Sequence, residues 1–326
     1  MKHTFSMEGY GYRLRPVTLN DAAFIIEARL QDLERNCFIH TISSDVSAQE
    51  EWLERYFLRE GDYYFIIENR FTRQAEGLIA FYDEKDGRAE WGRWVVKKGS
   101  LAAIESVWLL YRIAFEKVGL NELYCRTIKD NTEVVSFHTS IGEKTRCIHT
   151  NIFELNGKVY DAVEQYSDRA HFVSEISPQL AKKAEMISKR NFKQLVGKFD
   201  FHHIGVATKS IEKELPSYSM LGYSLESAIF EDSQQGIRGL FLTAKNQPRL
   251  ELLENLAEST TLDLYLKNNT KMYHSAYTVD HIEKAISVLT NCRAKIMSPL
   301  KESVYFGKRI CFLILPNMQL IELIED

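Results

Sequence analysis

The chain has 326 residues, enough for two domains of ordinary size. Lys and Arg number 41 and Asp and Glu 45, a formal net charge of −4, so no general electrostatic pull toward nucleic acid or an anionic membrane is expected. With 12% aromatic residues, 6 Pro and 16 Gly, the composition excludes a disordered, collagen-like or low-complexity chain.

The opening residues, MKHTFSMEGYGYRLRP, have no apolar core of the kind a signal peptide needs. The strongest apolar runs, such as residues 311–315, are too short to span a bilayer. The five cysteines are Cys37, Cys125, Cys147, Cys292 and Cys311. They are widely spaced with no CxxC, which points to free thiols in a reducing cytoplasm.

Residues 12–16 (YRLRP) predict a short strand. Leu19, Asn20 and Asp21 offer an N-cap to a helix over 22–30. A second helix is predicted over 47–59, with Ser47 as its cap and Glu50 completing a capping box. Strands follow over 63–69, 77–82 and 88–96. Lys97-Lys98-Gly99-Ser100 then leads into a long helix over 101–118. Its residues Ile104, Val107, Trp108, Tyr111, Phe115 and Val118 keep helical apolar spacing. A strand over 122–128, a helix over 132–140 and a hairpin over 153–160, turning at Asn156-Gly157, complete this half. Backbone N–H groups at a helix N-terminus and two lysines would receive a pyrophosphate at the KKGS segment; the same four residues also read as a solvated loop.

Residues 173–199 predict a connecting helix, basic through Lys182, Lys183, Lys189, Arg190, Lys193 and Lys198. It reads as a solvated connector or as a face that meets phosphates.

The last third is a duplication. His203 precedes Ile211-Glu212-Lys213, and 71 residues later His274 precedes Ile282-Glu283-Lys284. The same spacing relates Gly236 to Gly307, Phe241-Leu242 to Phe312-Leu313 and Glu251 to Glu322. Each copy reads β-α-β-β-β, with one His in its first strand and one Glu in its last. Two copies about a pseudo-twofold would bring His203, Glu251, His274 and Glu322 together. Two imidazoles and two carboxylates suit a six-coordinate divalent metal acting as a Lewis acid on an enolate or thioester oxygen. A histidine in a strand is otherwise a satisfied core residue.

The residues His203-Ile204-Gly205-Val206, Gln235-Gly236-Ile237-Arg238, Leu250 to Glu254, His274-Ser275-Ala276-Tyr277 and Leu320-Ile321-Glu322-Leu323 resemble the vicinal-oxygen-chelate superfamily, and within it methylmalonyl-CoA epimerase. The resemblance covers residues 200–326 and implies paired βαβββ modules with a ligand cavity under a curved sheet. Gly239 stands where some epimerases carry an acid–base carboxylate, which speaks against epimerase activity.

Residues 10–170, in a domain expected over 1–172, resemble the GNAT acyltransferases, in particular the branch that acylates nucleotide-linked amino sugars. The resemblance is carried by Tyr12 to Pro16, Gly77-Leu78-Ile79, Glu90-Trp91-Gly92-Arg93-Trp94-Val95-Val96, Asp130-Asn131, Phe137-His138 to Gly142, and Asn156 to Asp161. It implies an α+β fold, a GNAT mixed sheet with helices on both faces, ahead of the paired βαβββ domain. It implies acyl-CoA as cosubstrate, with Trp94, Val95 and Val96 along the pantetheine and Asn131 bonding it. Lys98, Gly99, Ser100 and Ala102 would face the pyrophosphate, although the second glycine of the family's Q/R-x-x-G-x-G/A loop is missing. His138 stands where many relatives have the Tyr that protonates the thiolate. It reads as that acid or as a core histidine. Glu90 reads as the base for the amine or as a solvent-facing strand residue. His40 reads as an acceptor contact or as a cation at a helix C-terminus.

The expected function is transfer of an acyl group, hydroxybutanoyl in preference to acetyl, to the amine of a nucleotide-linked 3-amino-3,6-dideoxy sugar, most simply a dTDP sugar. The product would serve surface polysaccharide synthesis. A nucleotide sugar is the expected partner, with no nucleic acid or membrane. The alternatives are a bifunctional protein whose metal domain isomerises an acyl-CoA, and a GNAT protein acetyltransferase with a non-catalytic C-terminal module.

Overall fold

The computed structural model describes residues 3–32, 34 and 36–326. Its contacts divide the chain into two compact units, Met1–Asn191 and Phe192–Asp326. The first unit begins with β1 (Met7–Glu8), β2 (Tyr12–Pro16), a 3-10 turn (Leu19–Asp21), α1 (Ala22–Leu30), α2 (Val46–Phe57), β3 (Tyr63–Asn69), β4 (Ala75–Lys85) and β5 (Arg88–Val96). It continues with α3 (Ala103–Arg112), a π turn (Ile113–Val118), β6 (Glu122–Ile128), α4 (Thr132–Ser140), β7 (Lys144–Leu155) and β8 (Lys158–Asp168). The connector region forms α5 (Arg169–His171), a second π turn (Phe172–Ile176) and α6 (Ser177–Val196).

Three local expectations are corrected. The cap of α2 is Asp45, whose carboxylate accepts from the Ser47 N–H at 3.0 Å, so Ser47 lies inside the helix. The long helix starts at Ala103 and ends in the π turn, stopped by Gly119 at φ 88°. The Asn156-Gly157 turn has φ 53° and 75°, and the strands it joins extend well beyond 153–160. Asparagine and glycine tolerate those angles, so the dipeptide sets the turn while pairing sets the strand length.

The first sheet has the order β1-β2-β3-β4-β5-β6-β8-β7. Its one parallel pair, β5 with β6, is short: only Arg88, Ala89 and Glu90 pair with Glu122, Leu123 and Tyr124. Beyond Glu90 the two strands diverge, and the edge of β5 from Trp91 onward has no ladder partner on that side among the described residues. One face of the sheet packs Leu14, Phe65, Phe81 and Trp91 against Leu110, Tyr111 and Phe115. The other packs Tyr64, Ile66 and Leu78 against Ile25 of α1 and Leu53 of α2. Helices thus cover both faces, because both sets of alternating side chains are apolar.

The second unit runs β9 (Phe199–Ala207), α7 (Ile211–Met220), β10 (Ser224–Leu225), β11 (Phe230–Asp232), β12 (Ile237–Thr243), β13 (Leu250–Asn255) and α8 (Asp263–Lys267). The second copy follows as β14 (Met272–Val279), α9 (Ile282–Asn291), β15 (Lys295–Glu302), β16 (Arg309–Ile314) and β17 (Leu320–Glu325). The strand after the first helix is broken into β10 and β11, where the second copy has the single β15. The sheet order is β10-β12-β13-β9-β14-β17-β16-β15, so the copies join through antiparallel β9 and β14. Val206, Leu240, Leu242, Leu250 and Leu252 pack with Ile211 of α7. Alternation along the strands then turns Glu251 and His203 to the opposite face.

Candidate functional site

Two sites emerge, one in each unit. In the first unit the opening between β5 and β6 is bordered by a distortion of β5. The β4–β5 register shifts between Leu78 and Ala80, and Arg93 on the facing segment has φ 46°. A left-handed arginine is costly, on the order of 1 kcal/mol or more, and must be held by its surroundings. Its guanidinium makes two bonds to Asp62, at 2.7 and 3.0 Å, and lies 4.4 Å from the Tyr82 ring centre. Trp94 packs into the other face. Its indole N–H donates to Ser106 Oγ at 3.2 Å and its ring centre is 4.8 Å from Phe137. Val95 and Val96 are buried and pair with Leu78 and Gly77 through one edge only.

The KKGS segment turns at Gly99, with φ 83°, and Lys98 and Gly99 are exposed. Lys97 is tied to Glu27 at 2.6 Å. The Ser100 hydroxyl donates to Glu76 and accepts from the Ala102 N–H at 3.2 Å, which starts α3 above a buried Ala102. Ser100 is therefore committed within the protein, while Lys98 and Gly99 are open to a ligand. Asn131 caps α4 through its backbone, and its side chain makes no capping bond.

The three acid–base candidates differ sharply in setting. His138 is buried on α4, with Nδ1 3.1 Å from Glu143 Oε2. The other oxygen of Glu143 accepts from the Tyr111 hydroxyl at 2.6 Å, and Cys125 Sγ lies 3.7 Å from His138 Nδ1. Burial pushes both the Cys125 thiol and the Tyr111 phenol well above their usual range, and Glu143 adds to both shifts. Trp91 packs edge-on against the imidazole at 4.8 Å. Glu90 is also buried rather than solvent-facing, and Arg126 binds its Oε2 through Nε at 3.0 Å and through Nη2. Burial raises the Glu90 pKa and Arg126 opposes the rise. His40 is exposed, and its backbone carbonyl accepts from Arg29 Nη2 at 2.6 Å. His138 touches Trp91, the chain neighbour of Glu90, whereas His40 shares no hydrogen bond with either.

The contacts of Arg126, Glu143 and Tyr111 carry no sequence signal, because their partners lie on other elements. Arg29 gives no sequence signal either. Its Nε is buried with no hydrogen-bond partner, and among the described residues its guanidinium has no carboxylate in ion-pair contact, only the His40 carbonyl at 2.6 Å. Burial lowers its pKa, and the nearby Arg93 lowers it further.

In the second unit the four duplicated residues converge. His203 Nε2 lies 3.0 Å from Glu251 Oε2, 3.1 Å from His274 Nε2 and 3.5 Å from Glu322 Oε2. His274 Nε2 lies 3.7 and 3.4 Å from the same two carboxylates. All four side chains are buried. The register explains the geometry. Glu251 and His274 both flank Gly205, while His203 and Glu322 both flank Ala276. Small residues are needed there, since a Cβ on Gly205 would sit 2.0 Å from His274 Cε1. Gly205 and Ala276 keep the 71-residue spacing, a signal that was present in the sequence.

Burial raises the Glu251 and Glu322 carboxyls above their usual range and lowers the His203 and His274 imidazoles below theirs. Neutral imidazoles facing each other beside two carboxyls form a donor set that a divalent cation fits, the cation taking the place of the carboxyl protons. His202 Nδ1 contacts His203 Nδ1 at 2.7 Å and orients that ring. The buried His274 Nδ1 has no partner, so this ring lacks the outer hydrogen bond usual for a ligating histidine. Phe241 and Phe306 rings pack against His203, at 5.2 and 6.2 Å.

The family model "Acetyltransferase (GNAT) domain" matches residues 12–144. The family model "Glyoxalase/Bleomycin resistance protein/Dioxygenase superfamily" matches residues 202–312. The chain joins a GNAT domain to a vicinal-oxygen-chelate domain. The first of these is an acyltransferase-type domain. Among solved structures it is similar to apo FdhC, a nucleotide-linked sugar GNAT, at 25% identity over 58% of this chain and 98% of that one, with a TM-score of 0.44. A GCN5-related N-acetyltransferase from Brucella melitensis is 16% identical over 56% of this chain and 85% of its own, with a TM-score of 0.49. Spermidine N-acetyltransferase from Vibrio cholerae, in complex with CoA and spermine, is 16% identical over 50% and 99%, with a TM-score of 0.46. No curated protein matches the chain. Among the described residues, no helix is long and apolar enough to cross a membrane.

Proposed function

We propose that the first unit transfers an acyl group from CoA to the primary amine of a nucleotide-linked 3-amino-3,6-dideoxy sugar, dTDP-linked, for surface polysaccharide synthesis. In this reading the pantetheine lies in the opening between β5 and β6, along Trp94, Val95 and Val96, with Asn131 bonding its amides. The pyrophosphate meets Lys98 and Gly99 and the start of α3 near Ser100 and Ala102. The amine nitrogen attacks the thioester carbon and the C–S bond breaks. An unpaired N–H of β5 steadies the negative oxygen. The proton on the amine leaves to Glu90, directly or through water, and His138 delivers a proton to the departing thiolate. Glu143 and Tyr111 hold His138 in orientation for this.

The observation that carries an anionic acceptor is Arg29, a guanidinium with no carboxylate partner among the described residues, set near Arg93. A polyamine would meet repulsion there, whereas a diphosphate would meet donors. The test is thiol release from acetyl- and hydroxybutanoyl-CoA with a panel of dTDP and UDP amino sugars and with spermidine. Turnover with one nucleotide sugar, and an Arg29→Ala KM for it raised about tenfold with kcat kept, is the expected result. Faster turnover of spermidine, or none with any amino sugar, refutes the assignment.

The preference for hydroxybutanoyl over acetyl rests on the second unit, whose resemblance is to an enzyme of branched acyl-CoA. We place one divalent cation on His203, Glu251, His274 and Glu322; when bound it would supply Lewis acidity toward a carbonyl oxygen. The completeness of this cluster favours one second reading, in which the unit isomerises an acyl-CoA before transfer. Deuterium exchange from solvent into the acyl α-carbon, lost in His274→Ala, is the result that reading requires.

A further inference from the structure

A second set of metal-type donors lies in the first unit, on the edge hairpin of β7 and β8 and outside the opening described above. Cys147, His149 and Glu164 bring sulfur, nitrogen and oxygen together. Cys147 Sγ lies 3.4 Å from His149 Nε2, and Glu164 Oε2 lies 2.8 Å from the same nitrogen. Nε2 is thus shared, which is not how a nucleophile, imidazole and acid relay is built, since a relay uses both ring nitrogens.

The hairpin itself explains the convergence. β7 shifts register between Thr145 and Cys147 and again between His149 and Phe153. Between those irregularities it pairs evenly, Cys147 with Glu164, Ile148 with Val163 and His149 with Ala162. Residues two apart on one strand, and the residue directly opposite, share a face. The three donors therefore project together from a short ladder with irregularities on both sides. Glu164 is buried, His149 half-buried and Cys147 exposed, so the cluster is open on one side. The other oxygen of Glu164 accepts from Arg146 Nη1 at 2.7 Å, which leaves Oε2 directed at the cluster.

We propose that Cys147, His149 and Glu164 bind a thiophilic divalent cation, zinc being the natural choice, with water at the open position. In a tetrahedral zinc site the sulfur and nitrogen ligands lie roughly 3.5 Å apart, and the nitrogen and oxygen ligands roughly 3.3 Å. The observed 3.4 Å matches the first edge. The second needs about half an ångström of movement, which the half-exposed imidazole can make. The ligand atoms are the Cys147 thiolate, the Nε2 lone pair of the neutral His149 ring and Glu164 Oε2.

The test is titration of the metal-stripped full chain with Co²⁺, read by the sulfur-to-cobalt charge-transfer absorption. The cluster in the second unit has no sulfur donor, so this band is blind to it. A band that saturates within two equivalents, because the second unit can take one equivalent silently, that is lost in Cys147→Ser and His149→Ala and kept in Glu322→Gln and Cys125→Ser, is the expected outcome. Loss of the band in Cys125→Ser but not in Cys147→Ser, or its absence from the parent chain, overturns the assignment. Glu164→Gln serves as the third variant and should weaken Zn²⁺ binding at least tenfold, with circular dichroism unchanged.

Discussion

Gly205 is the position at which a single methyl group should do most to the second unit. A Cβ at this residue would lie 2.0 Å from His274 Cε1, 2.2 Å from Nδ1 and 2.6 Å from Nε2. An ordinary contact needs at least about 3.4 Å, so in Gly205→Ala the ring must retreat by roughly 1 Å or more. It has little room. Tyr273, Phe312 and His203 surround it with ring centres at 4.6, 5.4 and 5.2 Å. Overpacking of this kind costs about 1–3 kcal/mol, and about 2 kcal/mol corresponds to roughly 4 °C or more in Tm for a unit of this size. The same retreat takes Nε2 out of reach of the other three donors, and metal sites tolerate about 0.2 Å. Calorimetry and elemental analysis after equilibrium dialysis against Mn²⁺, Co²⁺ and Zn²⁺ would read the two effects. Ala276→Gly, the symmetric position, is the control and should keep metal. An unchanged Tm together with unchanged metal content in Gly205→Ala would refute the reasoning, because it would mean that His274 is free to move and is not a ligand.

Two further outcomes follow from the first unit. Glu143→Gln should lower kcat by about tenfold or more with KM for acyl-CoA little changed, and shift the pH–rate profile, whereas a purely structural Glu143 would alter only Tm. Glu105 is buried in α3, accepts from the Gly11 N–H at 3.0 Å, and is raised by burial to about 7 from an ordinary 4.5. A carboxyl with a raised folded pKa stabilises below its unfolded pKa, and that contribution is lost as pH rises through the folded value. The Glu105 contribution should therefore fall between pH 4.5 and about 7, by on the order of 3 kcal/mol, read as the difference in urea-unfolding free energy between the parent and Glu105→Gln across that range.

The order of elements, the presence of two domains and the identity of the four duplicated residues were legible from the sequence alone. The reason is that these are periodic quantities: alternation marks strands, 3.6-residue spacing marks helices, and a constant 71-residue offset marks a copied module. The chemistry of His138 and Glu90 was not legible. Both were open between a functional and an inert setting, and what decides is contact across elements: Glu143, Tyr111 and Cys125 around one, and Arg126 around the other. The same holds for the β5–β6 opening, which exists because ladder pairing stops at Glu90, and for Arg93, whose strain is borne by Asp62. Sequence spacing determines which residues share a strand face. Only the packed structure determines which strand lies beside it, and hence which charges, rings and small residues meet.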